Sequence, residues 1–541
     1  MENKNRKRAE EIVSKLTLKE KIGQISQIVA GYDCYTINNG EVQFSQQFID
    51  TVNEYGAIGA ISGLLRADPW TGRNYQNGIT AQLRGKVANA LQGYMEEHTN
   101  SKIPTLIEIE ASHGLQALDS VTYPTGLACS ASFNCDLYES LMQQVGKEME
   151  LSGNHVAFLT LIDLARDPRW GRSEECLGED PFLGSQMAAA AVRGIKKNNV
   201  LACAKHFLGA GACESGVNSA ELHLGEREVN DVALATAKSC VDAGCDMIMV
   251  AYNSIDGTLV HIDKNLLTNV LRDKLGFEGI VISDGNGARS VSSNLEISQQ
   301  DAAILCIKAG VDLSLQDEGC FVRLEDAVQT GLLDVSYIDR ACVRVVEKKL
   351  EMGLFENRYV DEDAFCTFKA DGHCEQIAKQ MADESVTLLK NDGVLPLSKQ
   401  TRVVVVGENA NDIYHVLGDY TSYKLPHEGS TLANAVANTF DDATFVKGWS
   451  FNNGIENINA VIDACSQADV IVFSAGGTSK RDFDTKFLDN GALASSCNFM
   501  DCGEGADLAD LQLPQCQIEL LKTLKTLGKP IVALPLAELI C

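Results

Sequence analysis

The chain has 541 residues, 45% of them hydrophobic, and a formal net charge of −28. That length supports two or three domains with ample core. The charge argues against nucleic acid and anionic lipid as partners and fits a solvated acidic surface. The start, Met1 to Arg8, is charged and leads into no apolar stretch. No run of about 18 apolar residues occurs anywhere, so neither a signal peptide nor a membrane span is expected. The 18 cysteines include no C-x-x-C pair. They are expected to be the reduced thiols of a cytoplasmic protein, with Cys203, Cys240, Cys245 and Cys306 as small core residues.

Along the chain, Thr17-Leu18-Lys19-Glu20 is a capping box that opens a short helix from Glu20 to about Gln24. Apolar strand-like runs then recur near Ile25–Val29, Ala57–Ile61, Ile103–Ile109, Val156–Leu161, Val200–Ala204, Met247–Ala251, Gly279–Ser283 and Val311–Leu315. Eight strands alternating with helical stretches predict an α/β fold with a TIM-like (β/α)8 barrel over residues 1–355. Residues 356–374 are polar and read as an irregular linker. Residues 375–541 form a second α/β unit. Its expected elements are a helix near Cys374–Leu389, strands at Val403–Val406 and Val470–Ser474, a helix at Gln515–Leu527 and a strand at Pro530–Leu534. The alternation implies a mostly parallel sheet. The sequence stops soon after that strand, at Cys541, so this unit is expected to be incomplete.

Several strand ends carry reactive side chains. The run Gly279-Ile280-Val281-Ile282-Ser283 ends in Asp284, and Gly285-Asn286-Gly287 break the structure there. A buried strand with a carboxylate at its carboxyl end is how an α/β barrel presents a catalytic group. The alternative is an Asp that caps the following helix. Lys205-His206-Phe207 ends the fifth run, where a cation beside an imidazole calls for an anionic or hydroxyl-rich partner. Tyr252 ends the sixth run and can hydrogen-bond a carboxylate or form an aromatic rim. Glu110 ends the third run and could accept two sugar hydroxyls. After the fourth run, Asp167-Pro168-Arg169-Trp170-Gly171-Arg172 precedes Glu174 and Gly178-Glu179-Asp180-Pro181. Most of these residues read as a salt-bridged loop, with Arg172 the best candidate to fork onto ligand hydroxyls. In the second unit, Glu504 sits between two glycines in Gly503-Glu504-Gly505-Ala506-Asp507, within a polar loop from about Gly476 to Leu511. It is either an exposed acid or a group that swings onto the other domain. No cluster has metal-ligand spacing, so neither a metal nor another cofactor is expected.

Together these segments resemble glycoside hydrolase family 3 over nearly the whole chain. The Asp167–Arg172 stretch with Glu174 and Gly178–Pro181 is its most specific part. Lys205-His206-Phe207, Gly225-Glu226-Arg227-Glu228 and the ordered series from Tyr252-Asn253 to Ser283-Asp284 join it. Glu384-Ser385-Val386-Thr387-Leu388-Leu389-Lys390-Asn391 and Leu395-Pro396-Leu397 look like the opening of the family's second domain. The resemblance implies a barrel followed by an α/β sandwich, with the active site between them. It places the nucleophile at Asp284 and the acid/base at Glu504. It also implies that Glu110, Arg172, Lys205, His206 and Tyr252 hold the sugar of the first subsite.

The implied activity is a retaining exo-β-glycosidase acting on terminal β-D-glucosyl or xylosyl residues, with a small carbohydrate as its partner. A glycoside phosphorylase is the second implied activity. A weakly active or inactive sugar-binding protein is the third possibility, because the second domain reads as short. Gly209-Ala210-Gly211 stands where the family's N-acetylglucosaminidases carry an Asp-His loop, which argues against that activity. Gly285 and Leu508 also depart from the family pattern, which commonly has an aromatic and an arginine there.

Overall fold

A computed structural model describes residues 4–38, 40–317, 319–488, 493–494 and 500–535. The capping box at Thr17 forms as expected: Thr17 Oγ1 accepts from the Glu20 N–H, and Glu20 returns a bond to the Thr17 N–H. The helix it opens, Leu18–Ile25, leads to the first side of a ring.

Six parallel strands lie side by side in chain order: β1 (Ala60–Ser62), β2 (Leu106–Glu110), β3 (Val156–Leu161), β4 (Leu201–Phe207), β5 (Met247–Val250) and β6 (Ile280–Ile282). The two remaining runs expected as strands, 25–29 and 311–315, join the ring through single bridges, Ser26 to Ser314 and Leu313 to Ile282. The 311–315 run forms no ladder with β6 because side chains take backbone groups that a ladder would use. The Asp312 carboxylate accepts the Val281 N–H at 3.0 Å, and Ser283 Oγ accepts the Leu315 N–H at 2.9 Å. The ring still closes, through Ser314 N–H to Ile25 O at 3.0 Å and Gly59 N–H to Gly23 O at 2.8 Å.

The period of two along each strand sorts side chains between the inside of the ring and the helices outside. Leu106, Val156, Phe158, Leu201, Cys203, Met247, Met249, Ile280 and Ile282 fill the interior as one apolar cluster, with Val345, Met352 and Leu354 joining it from the last barrel helix and the turn after it. A larger cluster packs the outer face against the helices.

Residues 356–374, expected to be irregular, carry a helix, Ala364–Lys369, and lie against the barrel. Buried Phe365 stacks under the Arg84 guanidinium, 3.9 Å from the ring centroid. The next helix spans His373–Ser385 and stops short of the expected Leu389. Val386 and Thr387 are β-branched, which disfavours continuing the helix. The chain runs on extended, with Val386, Leu388 and Leu389 exposed.

The second sheet is parallel, with β7 (Arg402–Val406), β8 (Asp442–Val446), β9 (Val470–Ala475) and β10 (Ile531–Pro535) in the spatial order β8-β7-β9-β10. β8 has no apolar run to betray it. It is an edge strand whose residues alternate between exposed and half-buried. Helices Ile458–Gln467 and Gln515–Lys525 cover one face through Val461, Cys465, Leu520 and Leu524, and helix Leu432–Thr439 covers the other through Val436. This is an α/β sandwich. Residues 536–541, on which the expectation of an abrupt end falls, lie outside the described residues.

Candidate active site

The alternation along the strands explains how charge reaches the barrel mouth. Glu110 lies on the same strand face as Leu106, Lys205 on that of Leu201 and Cys203, and Asp284 in phase with Ile280 and Ile282. Each extends a column of interior side chains to the carboxyl end of its strand, where barrel chemistry is placed. There Lys205 Nζ meets Glu110 Oε2 at 2.7 Å. His206 Nε2 meets Asp284 Oδ2 at 3.3 Å, and its Nδ1 meets Asp163 Oδ2 at 2.9 Å. Asp284 also accepts the Gly285 N–H at 2.7 Å, and the Tyr252 hydroxyl donates to the Gly285 carbonyl at 2.5 Å. Tyr252 thus braces the turn beside Asp284.

Arg172 is buried in the loop after β3. It forks onto Glu175, with Nε and Nη2 at 2.7 and 3.0 Å from the carboxylate oxygens. Its Nη1 reaches Glu504 Oε1 at 3.3 Å. Trp170, in the same loop, is a core residue whose indole N–H donates to Asn218. Glu504 is not the surface acid that its polar, glycine-flanked context allows, for it is only 2% exposed. Its segment is fastened to the barrel by Gly503 N–H to Gly171 O at 2.6 Å and Leu508 N–H to Arg169 O at 2.8 Å. Asp507 accepts from the Gly171 and Asn218 N–H groups at 3.0 and 2.7 Å. Of the polar loop from about Gly476 to Leu511, residues 489–492 and 495–499 lie outside the described residues, while the part bearing Glu504 is docked.

A second stretch of the sandwich also enters the mouth. His113 Nε2 lies 2.6 Å from the Asp419 carbonyl, and the Asp419 N–H donates to Glu174 at 2.9 Å. Next in the chain, the Tyr420 hydroxyl donates to Glu504 Oε2 at 2.5 Å. The Tyr420 ring lies 4.7 Å from Lys205 Nζ, 5.2 Å from the Arg172 guanidinium and 5.5 Å from that of Arg66. Hydrogen bonds, ion pairs and ring contacts therefore join Glu110, Arg172, Lys205, His206, Asp284 and Glu504 around Tyr420 and the Asp163 to Asp284 line, with Tyr252 bracing its end. Among the described residues no group of His, Cys, Asp and Glu is arranged to hold a metal ion.

The electrostatics separate the two catalytic candidates. Burial pushes the Asp284 carboxyl up, and the Glu504 charge adds to this, while His206, Lys205 and Arg172 oppose it. Burial also pushes Glu504 up, but Arg172, the Tyr420 hydroxyl, Arg481 and Lys205 outweigh it and hold the carboxyl below its ordinary value. Desolvation on its loop would keep Glu504 protonated near neutral pH. The surrounding donors and cations keep it ionised instead.

Asp163, Asp419 and Tyr420 have no counterpart among the candidates read from the sequence. Asp163 carried a usable signal, because Leu161-Ile162-Asp163 delivers a carboxylate past a buried strand just as Ile282-Ser283-Asp284 does. Asp419 and Tyr420 follow a glycine in a loop and gave none.

Comparison with known proteins fits this arrangement. The Glycosyl hydrolase family 3 N terminal domain matches residues 17–348, and the family's C-terminal domain matches residues 386–538. The chain is 27% identical to a periplasmic β-glucosidase of Salmonella typhimurium, over 96% of this chain and 66% of that protein. It is 28% identical to a putative β-xylosidase of Formosa agariphila, over 97% and 67% respectively. It therefore spans about two thirds of the length of these relatives. Among solved structures, a β-glucosidase from Erythrobacter marinus superposes with a TM-score of 0.85 at 27% identity, over 99% of this chain and 72% of that one. A β-glucosidase from Listeria innocua in complex with glucose gives 0.82 at 26% identity, over 98% and 69%. With both domain profiles covering most of its length, the chain belongs to glycosyl hydrolase family 3.

Proposed function

We propose that the protein is a retaining exo-acting β-glycosidase that releases terminal non-reducing β-D-glucosyl or xylosyl residues. The observation that carries this reading is the convergence of two carboxylates from different domains, partly buried Asp284 and buried Glu504, in one network with Lys205, Arg172 and His206. The named activities of the relatives support the sugar class, and entry of the Asp419–Tyr420 stretch into the barrel mouth supports action on a chain end.

In this mechanism Asp284 attacks the anomeric carbon and Glu504 gives a proton to the departing glycosidic oxygen. Water then attacks the glycosyl-enzyme carbon, losing its proton to Glu504 and freeing Asp284. The resting ionised state of Glu504 suits the second step. For the first, substrate hydroxyls entering the site draw Arg172 off Glu504, and the carboxyl gains a proton as its cation leaves. Weak activity through a short second domain is the less favoured reading, because that domain is matched over residues 386–538 and its Glu504 segment is docked.

A panel of aryl β-glucosides and β-xylosides, with and without phosphate, identifies the sugar and separates hydrolysis from phosphorolysis. Asp284→Ala should lower turnover by several orders of magnitude with the fold intact, and a fluorinated slow substrate should label Asp284. Glu504→Ala should spare activated aryl leaving groups relative to poor ones, and azide should restore the second step. Label on another carboxylate removes Asp284 from the mechanism.

A further inference from the structure

Asp163 lies two residues past the end of β3, and its side chain has no exposed surface. Three N–H groups point at its carboxylate. Oδ2 accepts from the His206 backbone N–H at 3.0 Å and faces His206 Nδ1 at 2.9 Å, while Oδ1 accepts from the Ala210 N–H at 2.9 Å. The opposite edge of the same imidazole faces Asp284 Oδ2 at 3.3 Å. His206 therefore stands between two carboxylates, one of them remote from any bound sugar. An imidazole nitrogen facing a carboxylate oxygen is favourable as a donor and repulsive as an acceptor. Two ionised carboxylates on opposite edges of a ring are both satisfied only by ring nitrogens that donate.

We infer that Asp163 is a positioning residue for the reaction, which fixes the His206 ring from behind so that Nε2–H is aimed at Asp284 Oδ2. This rests on the reading of Asp284 as the nucleophile. The backbone bond to the same Oδ2 sets the place of the ring, and the Nδ1 bond sets its rotation. The helical turn at Ala210–Ala212 is tied to the other oxygen, so the loop after β4 cannot shift without disturbing the ring.

Other groups facing this line do not replace His206. From β4, Lys205 is paired with Glu110, which comes from β2. Arg172, from the loop after β3, is engaged by Glu175 and Glu504. Tyr252, after β5, donates to the Gly285 carbonyl, and its hydroxyl, pushed up by burial, also hydrogen-bonds Asp284 but brings no positive charge. His261 is kept neutral by burial, which pushes it down to about 3. The Cys213 thiol near Asp163 is pushed up to about 12, mainly by burial. Among the groups that favour ionised Asp284, His206 acts most strongly, ahead of Lys205 and Arg172.

Asp163→Asn tests the inference. All three partners of Asp163 donate, so an amide NH2 must meet one of them, and the negative charge behind the ring is lost. With the His206 ring no longer held toward Asp284, the acid limb of kcat/KM should move to higher pH by about one unit, and kcat should fall with little change in KM. A folded variant whose acid limb coincides with that of the wild type overturns the proposal. The wild-type protein gives a second test that needs neither turnover nor a stable variant at position 163. In 15N-labelled protein, the imidazole signals absent from His206→Gln should show a proton on Nδ1, the nitrogen that faces Asp163. A bare Nδ1 overturns the proposal. The fluorosugar label separates the two readings. Label elsewhere than Asp284 removes the nucleophile assignment, whereas label on Asp284 with an unmoved acid limb removes only the role of Asp163.

Discussion

At the scale of single residues, the Glu504 carboxylate is set by what it touches, and Tyr420 is the contact that can be removed most cleanly. Its hydroxyl hydrogen-bonds the charged form of Glu504, which favours that form. Tyr420→Phe keeps the ring among Lys205, Arg172 and Arg66 and deletes only this bond. Glu504 should then hold its proton to higher pH, so the alkaline limb of kcat/KM on poor leaving groups should rise by about half a unit to one unit. An alkaline limb identical to the wild type would show that the hydroxyl does not tune Glu504. Asp284, Glu504 and the five other candidates were readable because each sits in a short motif, at a strand end, in the loop after β3 or between glycines. Tyr420 was not, since it reaches the site through long-range contacts: Arg481 to Asp419 Oδ2 at 2.6 Å, and the Glu504 N–H to the same oxygen at 2.8 Å. No local pattern encodes such a meeting.

At the scale of elements, the segment bearing Glu504 and the loop after β3 meet backbone to backbone. A Cβ on Gly171 would lie 2.4 Å from the carbonyl oxygens of both Gly503 and Ala506, and neither can swing away as a side-chain tip could. Gly171→Ala should push the segment off the barrel. The expected result is a loss of tenfold or more in kcat/KM on poor leaving groups, a smaller loss on activated ones, and an unchanged unfolding midpoint for the barrel. Asp507→Ala, which removes two bonds to a carboxylate worth about 1.5–3 kcal/mol each, should give the same pattern. Equal losses on both substrate types would mean that docking does not position the acid. The elements themselves were mostly legible. Six of eight barrel runs are strands because their apolar, β-branched stretches announce burial. The 311–315 run fell short where Asp312 and Ser283 side chains intercept its ladder with β6, the 25–29 run pairs only through the bridge at Ser26, and β8 was missed because an edge strand alternates.

At the scale of the whole molecule, burial of acids gives stability a direction in pH. Glu108, inside the barrel, is pushed up to about 8 by burial, although Gln27 donates to it at 2.6 Å. Glu174, at the seam between the domains, is pushed to about 8 by burial and then by Asp419. A carboxyl raised from 4.5 to about 8 in the fold stabilises it fully below pH 4.5, and that contribution is lost as pH rises through 8. Lys349, lowered by burial to about 7, acts oppositely, costing stability as pH falls from 10.5 toward 7. Glu108→Gln cannot ionise. Its unfolding midpoint should therefore decline less between pH 5 and pH 8 than that of the wild type, and parallel declines would exclude Glu108 as the source.

The division of Asp284 and Glu504 between two domains has a consequence for the life of the chain. During synthesis the barrel, which carries Asp284, emerges before the sandwich that carries Glu504. On the mechanism proposed above, a nascent or half-folded molecule holds one half of a reaction and lacks the acid that a poor leaving group needs. On that mechanism, turnover of unactivated glycosides begins only at assembly and is itself a readout of a folded molecule.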